Sequence, residues 1–224
     1  MKIVHALGID GARAVTEGAV VVIDVLRAFS VSAYALAGGA RECLLVPSVD
    51  EARSIAASIP GSVISAEENT LPIAGIEISN SPTLITHTDL KDRTLVQRTS
   101  AGTPVINAVR EELDIYAGSL VVARATAQAC LLRRPETITL VASGDFPEDH
   151  ACARYMEAVI EERDVDVRLL LAPLYESERY AKFARGNWPG FPKTDLDLSL
   201  APDRFDFAMP ARRERGFVLL AARR

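Results

Sequence analysis

Four short segments of the chain carry the residue types that bind phosphate groups and hard cations. Each follows an apolar, β-branched run and precedes a stretch with helical character. Carboxylates coordinate hard cations such as Mg²⁺, whereas arginine, hydroxyl and backbone N–H groups bind anions. This mixture favours a phosphoryl site over a protease, redox or zinc site. The segments are residues 24–30 (DVLRAFS), 98–103 (RTSAGT), 123–126 (ARAT) and 143–149 (SGDFPED).

Three acidic residues are candidates for catalysis or metal binding. Asp24 ends an apolar run, where an Asp is either a helix N-cap or a ligand at the edge of a sheet. Leu26 occupies the position where a haloacid-dehalogenase phosphatase needs a second Asp, which disfavours that mechanism. Asp149 is a candidate metal ligand or general base. Glu67 opens an irregular segment and is either a solvated acid or a third metal ligand.

Basic and hydroxyl residues in the same segments are candidates for anion binding. Arg27 follows Asp24 by one helical turn and is either a surface ion-pair partner or an anion clamp. The series Thr99, Ser100, Gly102 and Thr103 lies beside Arg98 and leads into a helix near Pro104. Its free N–H groups would bind phosphate, unless Thr103 is an ordinary cap. The series lacks the GK[ST] of a P-loop.

The composition narrows the range of partners. The 224 residues carry a net charge of −5 and a pI near 5.3, which argues against nucleic acid. Three cysteines without a CxxC pair suit reduced thiols and a cytoplasmic location. No apolar run approaches the length of a membrane span, and the N-terminal apolar stretch is too short for a signal peptide. The sequence leaves homo-oligomer formation open.

Short strands alternate with helices along most of the chain, which predicts an α/β fold with a mostly parallel or mixed sheet and helices on both faces. Ligands of such sheets bind beyond the carboxyl ends of the strands, so the four segments are expected to meet at one edge. The long aperiodic stretch 66–92 is expected to be functional. We expect one domain over 1–224, with a less regular C-terminal appendage from about residue 176. The predicted strands are 19–23, 42–46, 62–65, 94–97, 120–122, 137–142, 165–171, 205–209 and 216–221, and the predicted helices are 29–36, 48–58, 104–113, 125–132, 148–162 and 176–185.

Several motifs, in order, give the chain its resemblance to one family. It resembles the ComB-type 2-phosphosulfolactate phosphatases from about residue 19 to 160, and more loosely at FDFAMP (205–210). The resemblance implies a ComB-like fold and a Mg²⁺-dependent phosphatase whose reference reaction releases phosphate and sulfolactate, a step towards coenzyme M. The motifs are DVLRAFS (24–30), ALAGGA (35–40), Glu67, NSP (80–82), TSAGT (99–103) and EDHACA (148–153).

The chain departs from the family pattern at three positions. Glu68 stands where the family has Arg, Ala101 where it has Asn, and Ala123 where an Asn is usual. Arg98 and Arg124 are therefore expected to replace the lost positive charge. Since the departures are expected at the substrate, we predict that a phosphorylated acid other than 2-phosphosulfolactate is preferred.

The leading hypothesis is a Mg²⁺-dependent phosphatase acting on a small phosphorylated hydroxy-acid, 2-phosphosulfolactate or a relative. The expected catalytic residues are Asp24, Arg27 and Asp149, and the expected Mg²⁺ ligands are Asp24, Glu67 and Asp149. The alternative is a non-catalytic protein that binds a small anion on the same fold; a phospho-sugar isomerase is a third. The expected substrate-binding residues are Asn80, Ser81, Arg98, Thr99, Ser100, Gly102, Thr103 and Arg124.

Overall fold

Both faces of the strand β2 (Ala19–Ile23) are covered, as its continuous apolar sequence requires. Successive side chains of a strand point to opposite faces. In the computed structural model, which describes residues 1–224, Val20 and Val22 belong to one buried apolar cluster. Ala19, Val21 and Ile23 belong to a second one. The sheet therefore separates two cores, which confirms the predicted α/β class.

One ten-stranded sheet runs through the molecule in the order β1-β8-β2-β7-β9-β10-β3-β6-β4-β5. Two blocks are parallel, β1-β8-β2-β7 and β3-β6-β4. An antiparallel hairpin, β9–β10, pairs with one block on each side. The strands are β1 (Lys2–Leu7), β2, β3 (Glu42–Leu45), β4 (Val63–Glu68), β5 (Leu71–Pro72), β6 (Thr94–Arg98), β7 (Asp114–Gly118), β8 (Thr137–Ala142), β9 (Met209–Glu214) and β10 (Phe217–Leu220).

The two parallel blocks are formally opposed, because three antiparallel pairings separate β7 from β3. Neighbouring strands are rotated by roughly 20–25°, so the six steps from β2 to β4 rotate the strand direction by about 120–150°. This twist offsets most of the formal reversal. It explains how the carboxyl ends of β2 and β4 reach the same region of the protein.

Eleven α-helices and one 3₁₀-helix pack around the sheet. Ser48 caps α3, as predicted, by accepting from Glu51 N at 3.2 Å. The other half of the predicted capping box differs, because the Glu51 carboxylate accepts from the Ser48 hydroxyl at 2.7 Å instead of from the Ser48 backbone N–H. The helices are α1 (Gly8–Ala14), α2 (Ala28–Ala37), α3 (Val49–Ser58), α4 (Pro82–Thr86), α5 (Gly102–Ala108), the 3₁₀-helix Leu120–Val122, α6 (Ala123–Leu132), α7 (Pro147–Ile160), α8 (Val167–Leu170), α9 (Ala172–Tyr175), α10 (Glu178–Ala184) and α11 (Thr194–Ser199).

Two of the predicted strands are wrong, and the two C-terminal strands begin later than predicted. Leu120–Val122 forms the 3₁₀-helix, and the strand is the preceding β7. The expected strand 165–171 contains α8, where Asp166 caps the first turn through Arg168 N at 2.9 Å. The C-terminal strands pair as expected but begin later, at Met209 and Phe217.

Other differences concern elements that the sequence pattern did not reveal. The strand β1 and the helix α1 were not predicted, and the aperiodic stretch 66–92 contains β5 and α4. Residues from 176 onward supply the central hairpin of the sheet as well as irregular segments. None of the helices combines the length and the apolar character that crossing a bilayer requires.

Candidate active site

A cavity of about 330 Å³ lies where the ends of β2, β4 and β6 approach one another. Its lining combines acidic, amide, hydroxyl and arginine side chains with a few apolar ones, as the sequence predicted for a site at this edge. Thirteen residues line it: Asp24, Leu26, Arg27, Ala28, Glu67, Asn69, Thr70, Asn80, Thr99, Ser100, Ala101, Phe146 and Arg179.

Asp24 places a carboxylate oxygen beside Gly102 at the start of α5. Its Oδ1 accepts a hydrogen bond from Ala28 N at 3.0 Å, so the N-cap interpretation is correct for this oxygen. Its Oδ2 accepts no hydrogen bond from the protein. Burial raises the pKa of Asp24 to about 6, opposed by the Ala28 N–H and by the charge of Arg179 and reinforced by Glu67 and Glu148.

Gly102 allows α5 to begin beside this free oxygen. A Cβ atom at Gly102 would lie 2.9 Å from Asp24 Oδ2 and 3.1 Å from Phe29 Cζ. Only a glycine therefore fits without displacing its neighbours. The backbone N–H groups of Ala101 and Gly102 make no hydrogen bond within the protein. Ala101 lines the cavity, whereas the predicted residue Gly102 is buried and does not. Both free donors belong to the segment that adjoins the Asp24 carboxylate.

The remaining N–H and hydroxyl groups of this segment are already engaged. Ser100 N donates to Glu67 Oε1 at 2.6 Å. Thr103 N donates to Thr99 Oγ1 at 3.0 Å, and the two threonine hydroxyls are 3.1 Å apart. Thr99 and Ser100 line the cavity, whereas Thr103 holds the first turn of the helix and does not.

Glu67, at the end of β4, is buried and lines the cavity. Besides Ser100 N, its carboxylate accepts from Thr70 N and from the Ser100 hydroxyl at 3.3 Å. Three residues of the same region have left-handed backbones, Asn69 (φ 51°), Thr70 (φ 66°) and Asn80 (φ 59°). This conformation is rare for a β-branched residue such as Thr70, and such outliers cluster at functional sites.

Asn80 offers a free amide donor to the cavity. Its Oδ1 accepts from Gln97 Nε2 at 2.6 Å, while the same Gln97 amide also donates to Ala28 O at 2.8 Å and its Oε1 accepts from Ser32. The Asn80 amide is thereby oriented, and its Nδ2 makes no bond to the protein. Ser81 does not line the cavity, because its hydroxyl donates to Asp195 Oδ1 at 2.7 Å and caps α4.

Arg27 lies at the cavity, but its donors serve the protein. Its Nη1 donates to Asp195 Oδ2 at 2.7 Å and to Gly190 O at 2.6 Å, and its Nη2 donates to Ser79 O at 3.2 Å. The guanidinium also stacks on the Phe191 ring at 4.1 Å. Arg27 therefore anchors the C-terminal segment beneath the cavity through a buried ion pair.

Asp149 lies next to Asp24 but does not line the cavity. Both of its oxygens are occupied, Oδ1 by Val25 N at 2.8 Å and Oδ2 by the Ser143 hydroxyl at 2.9 Å. Burial raises its pKa well above the ordinary value, and repulsion from Asp24 and Glu148 adds to the effect. Its hydrogen bonds hold the backbone after Asp24 in place.

The structure does not bring Arg98 or Arg124 to the cavity. Arg98 does not line the cavity, and it donates to Glu67 O and to the Ser100 hydroxyl. Arg124 pairs with Asp203 at 3.1 Å and donates to the Tyr155 hydroxyl at 2.8 Å. The sequence suggested these two arginines because they follow apolar runs, yet the run before Arg124 is the 3₁₀-helix rather than a strand.

Arg179, on α10, is the charged lining residue that the sequence pattern missed. Its Nε donates to Glu148 Oε1 at 2.8 Å, its Nη2 donates to Leu26 O at 3.3 Å, and its guanidinium stacks on Phe146 at 4.0 Å. Glu148 is fully buried, and its second oxygen has no hydrogen-bond partner. No local motif marks Arg179, because it lies more than 150 residues from Asp24 in a weakly patterned region.

The predicted set of three metal-binding acids does not assemble into one cluster, and no group of three His, Cys, Asp or Glu side chains is arranged around a metal position. Mg²⁺ commonly needs only one or two carboxylates, with waters and substrate oxygens completing its shell. Asp24 and Glu67 line the cavity together and fit this smaller donor set. Asp149 lies outside the lining, and this position, rather than its hydrogen bonds, separates it from Glu67, whose oxygens also accept hydrogen bonds.

Only one of the three departures from the family pattern reaches the cavity. Ala101 lines it, whereas Ala123 is buried elsewhere and Glu68 is an exposed acid 3.9 Å from Arg98. Two of the three departures thus lie outside the lining, and the preference for another phosphorylated acid stays a prediction.

Comparison with known proteins adds an independent line of information. A family model described as 2-phosphosulpholactate phosphatase matches residues 9–184. Proteins named "Probable 2-phosphosulfolactate phosphatase" from Bacillus subtilis and Clostridium novyi are 35% and 34% identical over 150 and 153 residues, which cover 65% and 66% of this chain and 65% of each relative. One from Carboxydothermus hydrogenoformans is 31% identical over 66% of this chain and 62% of its own length. The aligned chain thus spans slightly less than two thirds of these relatives.

Proposed function

The chain belongs to the 2-phosphosulpholactate phosphatase family, and on this premise we propose that it is a phosphoric monoester hydrolase. Its substrate is a small phosphorylated hydroxy-acid, 2-phosphosulfolactate or a relative. The B. subtilis, C. novyi and C. hydrogenoformans proteins carry this activity in their names.

The observation that carries the proposal is the meeting of Asp24 with the start of α5. A carboxylate oxygen without a protein partner lies beside Gly102, in a segment where the N–H groups of Ala101 and Gly102 are free. Backbone donors bind phosphoryl oxygens, and a carboxylate binds the cation that accompanies them. A site for transfer of a phosphoryl group needs both in one place.

Mg²⁺ is the proposed cofactor, with Asp24 and Glu67 as its protein ligands. Acids outnumber cations in and around the cavity, since the five acids Asp24, Glu67, Glu148, Asp149 and Asp195 accompany the three arginines Arg27, Arg98 and Arg179. Repulsion among buried acids favours a bound divalent cation. When bound, Mg²⁺ would neutralise phosphoryl charge and acidify a water molecule.

The residues of the chain bind and orient the substrate. The N–H groups of Ala101 and Gly102 would donate to equatorial phosphoryl oxygens, where negative charge builds up during transfer. Asn80 Nδ2 would donate to an oxygen of the organic acid. Asp149 holds the backbone next to Asp24 by accepting from Val25 N. Arg27 lies at the cavity and forms an ion pair with Asp195.

The experiment measures phosphate release by the purified protein, with Mg²⁺ or with EDTA. The substrates are 2-phosphosulfolactate, phospholactate, phosphoglycolate and the phosphoglycerates. We expect release that needs Mg²⁺ and that Asp24→Asn abolishes. Asp92→Asn is the matched control, because Asp92 is exposed and has a left-handed backbone that Asn tolerates.

The alternative of a non-catalytic anion-binding protein makes a different prediction. In that case these acids would bind and raise the melting temperature, yet no phosphate would be released under any condition. Equal phosphate release with EDTA and with Mg²⁺ would contradict the proposal of Mg²⁺ as cofactor but not the proposal of a phosphatase.

A further inference from the structure

Arg179 has one donor that the protein does not use. Its Nε and Nη2 are bound to Glu148 and to Leu26 O, whereas its Nη1 makes no hydrogen bond within the protein. Its side chain is 23% exposed. Phe146 lies under the guanidinium at 4.0 Å, so the group is held in one orientation by an ion pair and by stacking.

The same residue lies on the boundary between the main cavity and a second, basic one. The second cavity, which we call the α10 groove, is lined by Glu178, Arg179, Ala181, Lys182 and Arg185. Three of these five residues are cations and one is an anion, so the α10 groove attracts negative charge. Arg179 is the residue that the two cavities share.

The other arginines near the cavity are unsuited to binding a second anionic group of a substrate. Arg27 is 2% exposed, and both of its Nη atoms donate to protein acceptors. Arg98 donates to Glu67 O and does not line the cavity. Arg179 alone among these combines a place in the lining with a free, oriented donor.

Resting on the proposed phosphatase function, we propose that Arg179 is a specificity-determining residue that binds the acidic group of the substrate other than the phosphoryl group. The phosphoryl group lies at Asp24 and the start of α5, and the carboxylate or sulfonate points towards the α10 groove. Glu148 then acts as a positioning residue, because it orients the Arg179 guanidinium.

The test compares two non-hydrolysable ligands by calorimetry in the presence of Mg²⁺. Phosphonoacetate carries a phosphonate and a carboxylate, whereas ethylphosphonate carries the same phosphonate and a methyl group. We expect the wild type to bind phosphonoacetate at least tenfold more tightly. Arg179→Gln should reduce this preference to less than threefold, while the affinity for ethylphosphonate stays within about threefold.

The choice of substitution at Arg179 depends on whether the variant folds, and a second arginine serves as the control. Arg179→Ala leaves the buried Glu148 without its partner, whereas Arg179→Gln keeps an N–H donor for it and is the variant expected to fold. Arg168→Ala is the matched control, because Arg168 is 86% exposed and pairs only with Asp166; it should keep the full preference.

Three results would overturn the inference. The first is equal weakening of both ligands in Arg179→Gln, which would place Arg179 on the phosphoryl group. The second is an unchanged preference in that variant, and the third is a wild type without any preference. None of these readouts needs turnover, so absence of phosphate release would reject the proposed function separately.

Discussion

Replacing Asp24 by Asn should make the metal-free protein more stable while abolishing its Mg²⁺-dependent activity. Burial raises the pKa of Asp24 from 3.8 to about 6. Each pKa unit corresponds to about 1.4 kcal/mol, so the ionised Asp24 costs the folded protein about 3 kcal/mol at pH 8. Asn keeps the oxygen that accepts from Ala28 N and removes the buried charge.

The sign of the pH dependence follows from the raised pKa. Between about pH 4 and pH 6 the folded state holds a proton on Asp24 that the unfolded state has lost. The stability of the wild type therefore falls as pH rises through this window, whereas the variant lacks this contribution. The gap in unfolding free energy between variant and wild type should shrink by about 2 kcal/mol from pH 8 to pH 4.5.

Urea unfolding in EDTA at pH 8 and pH 4.5 measures this gap, and Asp92→Asn, at an exposed position, serves as the control. The expected gain is roughly 1–3 kcal/mol at pH 8, allowing for relaxation around the charge. An Asp24→Asn variant less stable than wild type at pH 8, or a gap independent of pH, would refute the reasoning.

Three other substitutions test the site. Gly102→Ala should lower kcat/KM by more than tenfold and destabilise by about 1–3 kcal/mol, because its Cβ would lie 2.9 Å from Asp24 Oδ2; normal turnover would show that the close approach is unimportant. Arg124→Ala should leave kcat/KM within about threefold, since its partners lie away from the cavity; a larger loss would restore its predicted role. Asp195→Asn should destabilise by about 3–5 kcal/mol in denaturant titrations, because it removes the buried counter-charge of Arg27; a change below about 1 kcal/mol would contradict this.

The local part of the site was predictable because it depends on short-range chemistry. An Asp after an apolar run, a glycine at a helix start and a long irregular stretch each have physical meaning at short range, and they led to Asp24, Gly102 and Asn80. The resemblance to the family rested on the order of these segments along the chain. The α/β class followed from the alternation of strands and helices.

The other features of the fold and of the site depend on contacts between residues far apart in the sequence, which no local pattern reveals. Arg179 and Asp195 lie in a weakly patterned region, and each gains its role through a partner more than 30 residues away. Arg124 lies outside the cavity lining, because the short β-branched run before it forms a 3₁₀-helix rather than a strand. The direction of the second parallel block is set by the hairpin that pairs with it, and that hairpin comes last in the chain.

The central position of β9 and β10 bears on when the protein can fold during synthesis. Domains fold as the chain emerges from the ribosome, and elements that pair early protect their edges. Here β7 and β3 expose pairing edges to each other until residues 209–220 have been made. Within the sheet the two parallel blocks are connected only through this hairpin, so we expect a chain truncated before residue 209 to aggregate more readily than the chain that includes the hairpin.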